Sequence, residues 1–186
     1  MNKETKLLFI VGETGSGKDT IAHELGFGNF IVSYSTRKMR DTDIQGVNHY
    51  FVSNPEMDKL IAENGDDIIA YTYTGVGDRY CALKKDLKPG LNIYIINPDG
   101  IRWFKQNAFK DLKYYIVYVH TPLKTRIERC KHRNDFDTSF HNRVMDEAAD
   151  FSEFRLSDDY NLIIRNDDYK KSAEIIRKAI ALEFGD

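Results

Sequence analysis

The sequence predicts a three-layer α/β fold with a parallel sheet between helices, and three observations carry that expectation. Short apolar runs recur along the chain at Leu7–Val11, Phe30–Val32, Ile93–Ile96, Tyr114–Val119 and Leu162–Ile164. They are continuous rather than alternating, as strands covered on both faces are. Helical patterns lie between them, and strand–helix alternation builds a parallel sheet.

Taken in order, the first run leads into a glycine-rich turn and a helical segment. The stretch from about Ser33 to Ala82 breaks the rhythm: it is polar, rich in Tyr and Thr, and holds Gly46, Gly65, Gly75 and Gly77. Phe51-Val52 and Ile68–Tyr71 read as short strands within it, so it is expected to be an insertion with its own small sheet. Trp103 and Phe104 fall in a helical stretch and read as core. Thr121-Pro122 supplies a capping hydroxyl and a proline for a helix running to about His132. Lys131 to Asn142 mixes basic, acidic and aromatic residues, and loops of that length are usually functional or mobile. Tyr169, Ala173, Ile176, Ile180 and Phe184 share one face of a C-terminal helix.

Composition narrows the class. The 186 residues are 41% hydrophobic and 30% charged, which is ordinary globular composition for one domain. The net charge is 27 − 29 = −2. The basic residues are dispersed among as many acids, so a nucleic-acid function has little support. Two cysteines, Cys81 and Cys130, make neither a disulfide framework nor a paired-cysteine zinc site. The five histidines lack metal-ligand spacing, and Cys81 reads as a small packed residue. No apolar run approaches the ~20 residues that span a bilayer. Leu7–Val11 is shorter than the apolar stretch of a secretory signal. A reduced, cytoplasmic domain is expected.

The strongest chemical signal is Gly12-Glu13-Thr14-Gly15-Ser16-Gly17-Lys18-Asp19-Thr20, between an apolar strand and a helix. Glycines let backbone N–H groups turn inward around phosphate oxygens. The helix N-terminus adds its positive dipole end, and Lys18 a mobile charge for the outer phosphates. The strict P-loop pattern has a hydroxyl directly after the lysine to meet Mg²⁺. Here Asp19 holds that position and the hydroxyl comes at Thr20, so either could ligate the metal.

A second anion site is suggested by Ser33-Tyr34-Ser35-Thr36-Arg37-Lys38-Met39-Arg40. Paired guanidinium groups beside hydroxyls suit a phosphate. The plain alternative is a solvated basic turn paired with Asp41 and Asp43. Beside a P-loop the phosphate reading is favoured, because transfer between two nucleotides needs two anion sites.

These segments together resemble the guanylate kinase family. The arginine segment, Gly46 and His49-Tyr50-Phe51-Val52 resemble that family's Thr-Thr-Arg-x-x-Arg core, glycine and aromatic-Phe-Val run. Arg129 to Arg143 resembles its mobile lid. Asp159-Tyr160-Asn161-Leu162-Ile163-Ile164-Arg165-Asn166-Asp167-Asp168 resembles its Tyr-Asp-Tyr-x-x-x-Asn-Asp-Asp strand and turn. The resemblance runs from Leu7 to about Ile180. It implies a P-loop kinase fold divided into a core (1–32, 83–130 and 144–186), a monophosphate-binding insertion (33–82) and a mobile lid (131–143).

It also implies roles for particular residues. Ser33, Arg37, Arg40 and Tyr80 would hold the phosphate of the acceptor, with a plain core tyrosine the alternative at Tyr80. Arg133 and Arg143 would close over the transferring group, and Asn166 and Asp167 would lie beside the adenine of ATP. A Walker-B-type acid for Mg²⁺ would come from Asn97 or Asp99, with a helix N-cap the alternative for Asp99. Departures stand at the base-reading positions: the family's guanine-binding Glu and Ser/Thr align with Ala70 and Ala82, and a strand-end Asp with Asn97. Tyr71, Thr72, Tyr73 or Asp78 could read the base instead. The expected activity is ATP-dependent phosphoryl transfer to a nucleoside monophosphate, GMP or dGMP by resemblance, by a monomer or homodimer. The alternatives are another monophosphate as acceptor, or a catalytically weak nucleotide-binding module.

Overall fold

The computed structural model describes residues 4–41, 43–107, 109, 111–132 and 138–185. Five strands form one parallel sheet in the order β2-β7-β1-β8-β9: β1 (Thr5–Val11), β2 (Asn29–Phe30), β7 (Gly90–Ile96), β8 (Lys113–His120) and β9 (Leu162–Arg165). All five predicted apolar runs supply these strands, although β2 is only two residues long. The pleat of β1 explains why its sequence is apolar without a break. Leu7, Phe9 and Val11 face one layer, with Ile101, Phe104, Phe151 and Phe154. Leu8 and Ile10 face the other, with Ile21, Ala22, Leu25, Ala173, Ile176 and Ile180. Helices α3 (Pro98–Gln106) and α5 (Thr138–Leu156) therefore cover one face, and α1 (Lys18–Glu24) and α6 (Tyr169–Phe184) the other.

The second sheet falls where the rhythm breaks. Its order is β4-β3-β6-β5, from β3 (Tyr34–Ser35), β4 (Tyr50–Phe51), β5 (Ile68–Tyr73) and β6 (Arg79–Leu83). Helix α2 (Asn54–Asn64) packs beside it through Met57, which joins Ile68, Cys81 and Leu83 in a third cluster. This helix was not anticipated. Its signal is local: Ser53 and Glu56 form a reciprocal capping box ahead of it. Cys81 is fully buried there, and burial pushes its thiol up to about 12, in keeping with a packing role.

Three details differ from expectation. Thr121 does not cap α4 (Leu123–His132) with its hydroxyl; it donates instead to the Ser16 carbonyl at 3.0 Å. Tyr169 stands exposed at the start of α6 although Ala173, Ile176 and Ile180 on the same face are buried. The 131–142 stretch is not wholly irregular, because α4 runs to His132 and α5 begins at Thr138. No helix among the described residues is long and apolar enough to cross a membrane.

Candidate active site

The cradle lies at the carboxyl end of β1, between β7 and β8. The sheet order diverges there, and ligands of open α/β sheets bind at that place. Gly15 and Gly17 have φ of 79° and 87°, in the left-handed region that favours glycine. A Cβ on Gly12 would come within 2.7 Å of Ser16 Oγ and of the Val119 carbonyl, so the loop closes only around hydrogen at that position. Ser16 Oγ is buried with no partner among the described residues, a polar atom left for a ligand.

Three elements pin the loop at one atom. The Ser16 carbonyl accepts from Asn166 Nδ2 at 2.8 Å, Arg129 at 2.9 Å and Thr121 Oγ1 at 3.0 Å. Asn166 is itself buried and accepts from Ser172 on α6 at 3.2 Å. Arg126 donates to the Thr14 carbonyl at 3.1 Å. The Ser16 N–H stays within the loop, on the Glu13 carbonyl at 3.0 Å. Lys18 lines the hollow beside the loop, with Asp19 3.7 Å from its ammonium. The bracing by Arg126 and Arg129 was not foreseen. Its trace is two arginines three apart in the helix that leaves β8, on one helical face.

Glu13 points away from the hollow. Its carboxylate is buried and accepts from Tyr118 and Arg155, both at 3.1 Å. Burial, with Glu13 alongside, raises the Tyr118 hydroxyl to about 12, so it stays protonated and donates. Thr14 is also engaged: its N–H and hydroxyl donate to the Glu147 carboxylate at 2.8 and 2.5 Å.

The second anion group lines the same cavity, of about 520 Å³. Ser33, Arg37, Arg40, His49 and Tyr80 contribute from the small sheet and its loops, and Arg143 from α5. Ser33 and His49 Nδ1 share a hydrogen bond of 2.9 Å. Burial and then repulsion from Arg37 and Arg143 pull the Arg40 guanidinium below its usual pKa. Three arginines on one cavity, with the ionisation of Arg40 opposed by its neighbours, form a group suited to an anion. Part of the plain alternative also holds, since Arg37 pairs with Asp43 at 2.9 Å. Asp43 is held below the usual carboxylate range: burial works against this, and the Arg37 and Arg40 bonds outweigh it. Burial raises the Tyr80 hydroxyl, which therefore lines the cavity neutral.

Other expected positions fall differently. Asp99 is not the helix cap: it pairs with Arg102, which also binds Asp150 at 3.2 Å, and Asn97 caps α3 by accepting from Gly100 N. Asp167 is exposed and paired with Arg165 at 2.9 Å, while Asp168 caps α6. Asp19 and Thr20 are exposed at the start of α1. Arg133 lies outside the described residues. Of the alternative base readers, Tyr71 is turned to Arg79 and Trp103, whereas Thr72, Tyr73 and Asp78 line the cavity.

A parallel sheet with a braced glycine-rich loop at its switch point, and a second group of arginines on the same cavity beside an inserted sheet, define an α/β protein of the P-loop class. Sequence and structure comparisons give the particular family. The guanylate kinase family model matches residues 4–183, and the chain belongs to that family. It is 30% identical over 192 residues to a guanylate kinase of Mycoplasma capricolum, covering 97% of this chain and 62% of that one. It thus spans about three fifths of that relative. A guanylate kinase of Rickettsia bellii is 28% identical over 198 residues, covering 98% of this chain and 97% of that one. The crystal structure of guanylate kinase from Anaplasma phagocytophilum shares the fold, with a TM-score of 0.70 at 21% identity over 98% of this chain and 88% of that one.

Proposed function

We propose that the protein moves the γ-phosphoryl group of ATP onto a nucleoside monophosphate, with GMP or dGMP as acceptor. The observation that carries this reading is the pair of anion-binding groups on one cavity, the cradle with Lys18 and the Ser33, Arg37, Arg40 and Tyr80 group. Family membership supports it, as do relatives that are themselves guanylate kinases.

The loop from Gly12 to Thr20 would hold the ATP phosphates through the N–H groups not already bonded to Glu147 or to the Glu13 carbonyl, together with the Lys18 ammonium. Ser33, Arg37, Arg40 and Tyr80 would hold the acceptor phosphate, so that one of its oxygens faces the γ-phosphorus in line with the bond to the β-phosphate. The new P–O bond forms as that bond breaks, and ADP leaves. The acceptor phosphate is already ionised, so no strong base is needed. The side chains position the two nucleotides and neutralise charge as it moves. Arg143 of α5 would meet the transferring group, while the 33–82 insertion carries the acceptor and the remainder of the chain holds ATP; Arg133, expected in the same role, lies outside the described residues.

A divalent cation bound with the nucleotide would neutralise phosphate charge. The oxygens of Asp19 and Thr20 fit that role, since Mg²⁺ commonly takes one or two protein oxygens and completes its shell with phosphate and water. Asp99 fits poorly, being committed to Arg102. Asn166 would act on ATP through the loop it braces.

The test is a coupled ADP-release assay with Mg-ATP against GMP, dGMP, AMP, dAMP, IMP, CMP, UMP and dTMP. Turnover that requires GMP or dGMP is expected. ATP binding without turnover on any monophosphate would refute the reading.

A further inference from the structure

One wall of the cavity has its hydrogen-bonding polarity fixed by the fold. Asn97 Oδ1 accepts from the backbone N–H of Gly100 at 3.0 Å. A backbone N–H can only donate, so the amide atom facing it is the oxygen and the side chain cannot be flipped. Thr72 Oγ1 lies 3.0 Å from that same oxygen. An amide oxygen cannot donate, so the hydroxyl proton of Thr72 is committed to it. Two consequences follow. Thr72 Oγ1 keeps only lone pairs to offer. Asn97 Nδ2 makes no hydrogen bond with a described residue and offers only N–H groups.

Both side chains line the cavity that holds the two anion groups. Thr72 sits directly across the β5–β6 ladder from Tyr80, so it is one strand away from the group proposed to hold the acceptor phosphate. Farther along that ladder the facing pair is Ala70 and Ala82, both buried and without polar side-chain atoms. Of the five carboxylates on the cavity, Asp99 and Asp150 are paired with Arg102, and Glu147 is held by Thr14. Asp78 stands close enough to Tyr80 to raise its pKa, on the phosphate side. Asp146 lies against Gly75, where a Cβ would meet its Oδ1 at 3.3 Å.

We infer that Thr72 and Asn97 together read the acceptor base, Thr72 Oγ1 accepting a ring N–H and Asn97 Nδ2 donating to the neighbouring carbonyl oxygen. This deepens the proposed function and rests on it for the identity of the acceptor. On a 6-oxopurine such an edge is N1–H beside O6. The 2-amino group of guanine lies beyond that edge and is not read by this pair. The substrate class is therefore 6-oxopurine nucleoside monophosphates, with guanine and hypoxanthine read nearly alike. A site that hydrogen-bonds a substrate group rejects analogues lacking it by large factors, and a site without such a contact does not.

The experiment is calorimetric binding of GMP and IMP to the wild-type protein and to Thr72→Val, Thr72→Ser and Asn97→Ser, with ATP binding and ADP release measured on the same preparations. Serine at 97 can still cap α3. The wild type is expected to bind IMP within about tenfold of GMP. Thr72→Val and Asn97→Ser should each weaken both by about tenfold or more with ATP affinity unchanged, and Thr72→Ser should restore wild-type values. GMP binding a hundredfold or more tighter than IMP would overturn the inference, since another group, Asp146 foremost, would then be reading the 2-amino group. Unchanged GMP and IMP affinity in Thr72→Val would overturn it too. Binding as expected but without ADP release would refute the catalytic reading and leave the base contact standing.

Discussion

Replacing Asn166 by alanine separates bracing from nucleotide contact. The side chain is 1% exposed, donates to the Ser16 carbonyl at 2.8 Å and accepts from Ser172 Oγ at 3.2 Å. Alanine removes both bonds. Ser16 O keeps Arg129 and Thr121, so its loss is one bond of three, about 1 kcal/mol. The Ser172 hydroxyl, itself buried, is left unsatisfied, which costs about 1–3 kcal/mol. The sum is about 2–4 kcal/mol, or roughly 5–15 °C in melting temperature for a chain of this size. Thermal unfolding without nucleotide measures it directly, and ATP affinity should fall as the loop loosens. Asp167→Ala, at an exposed position, should shift the melting temperature by less than about 2 °C. A nucleotide-free Asn166→Ala protein that melts like wild type but binds ATP poorly would refute the bracing argument, because Asn166 would then act only on the ligand.

Three further outcomes are expected. Arg37→Ala should raise the monophosphate KM by roughly 10–100-fold with little change for ATP, read by steady-state kinetics; it removes charge-assisted bonds and leaves Asp43 with the Arg40 N–H but without its ion-pair partner. Glu147→Gln should tighten ATP binding by about threefold to tenfold in equilibrium titration, because it removes a negative charge now held on the Thr14 N–H and hydroxyl beside the cradle. Burial, then neighbouring arginines, lowers the pKa of His49 from the ordinary 6.5. The unfolded chain therefore takes up this proton first as the pH falls. The resulting stability is complete above about pH 6.5 and is lost as the pH descends toward the lowered value. Nucleotide-free melting curves from pH 8 to 5.5 should show a drop of a few degrees that is smaller in His49→Asn. His120 is lowered for the same first reason and stays as the residual slope.

The parallel sheet was legible because strands buried on both faces must be apolar throughout, as Leu7–Val11 and Tyr114–Val119 are. The cradle was legible because its glycines are demanded by backbone geometry at Gly15 and Gly17. Helix α2 was overlooked because it is mostly polar and buries only Met57, although Ser53 and Glu56 announce its start. The partners of charged residues were the least legible. Glu13 stands inside the phosphate motif yet turns to Tyr118 and Arg155, and Asp99 reads as a metal ligand yet binds Arg102. Such choices depend on residues that are distant in sequence and adjacent only after folding. The Thr72–Asn97 pair belongs to the same class, joining the inserted sheet to the start of α3 across 25 residues.

The most direct test of the central claim follows the phosphorus itself. The protein is incubated with ATP labelled at the γ-phosphate and with GMP, and the products are separated. Two anion sites on one cavity predict that the label appears in GDP, that its rate of appearance depends on GMP, and that Lys18→Ala or Arg37→Ala slows it by at least tenfold. Label recovered only as inorganic phosphate, or label in GDP at a rate unaffected by both substitutions, would contradict the account.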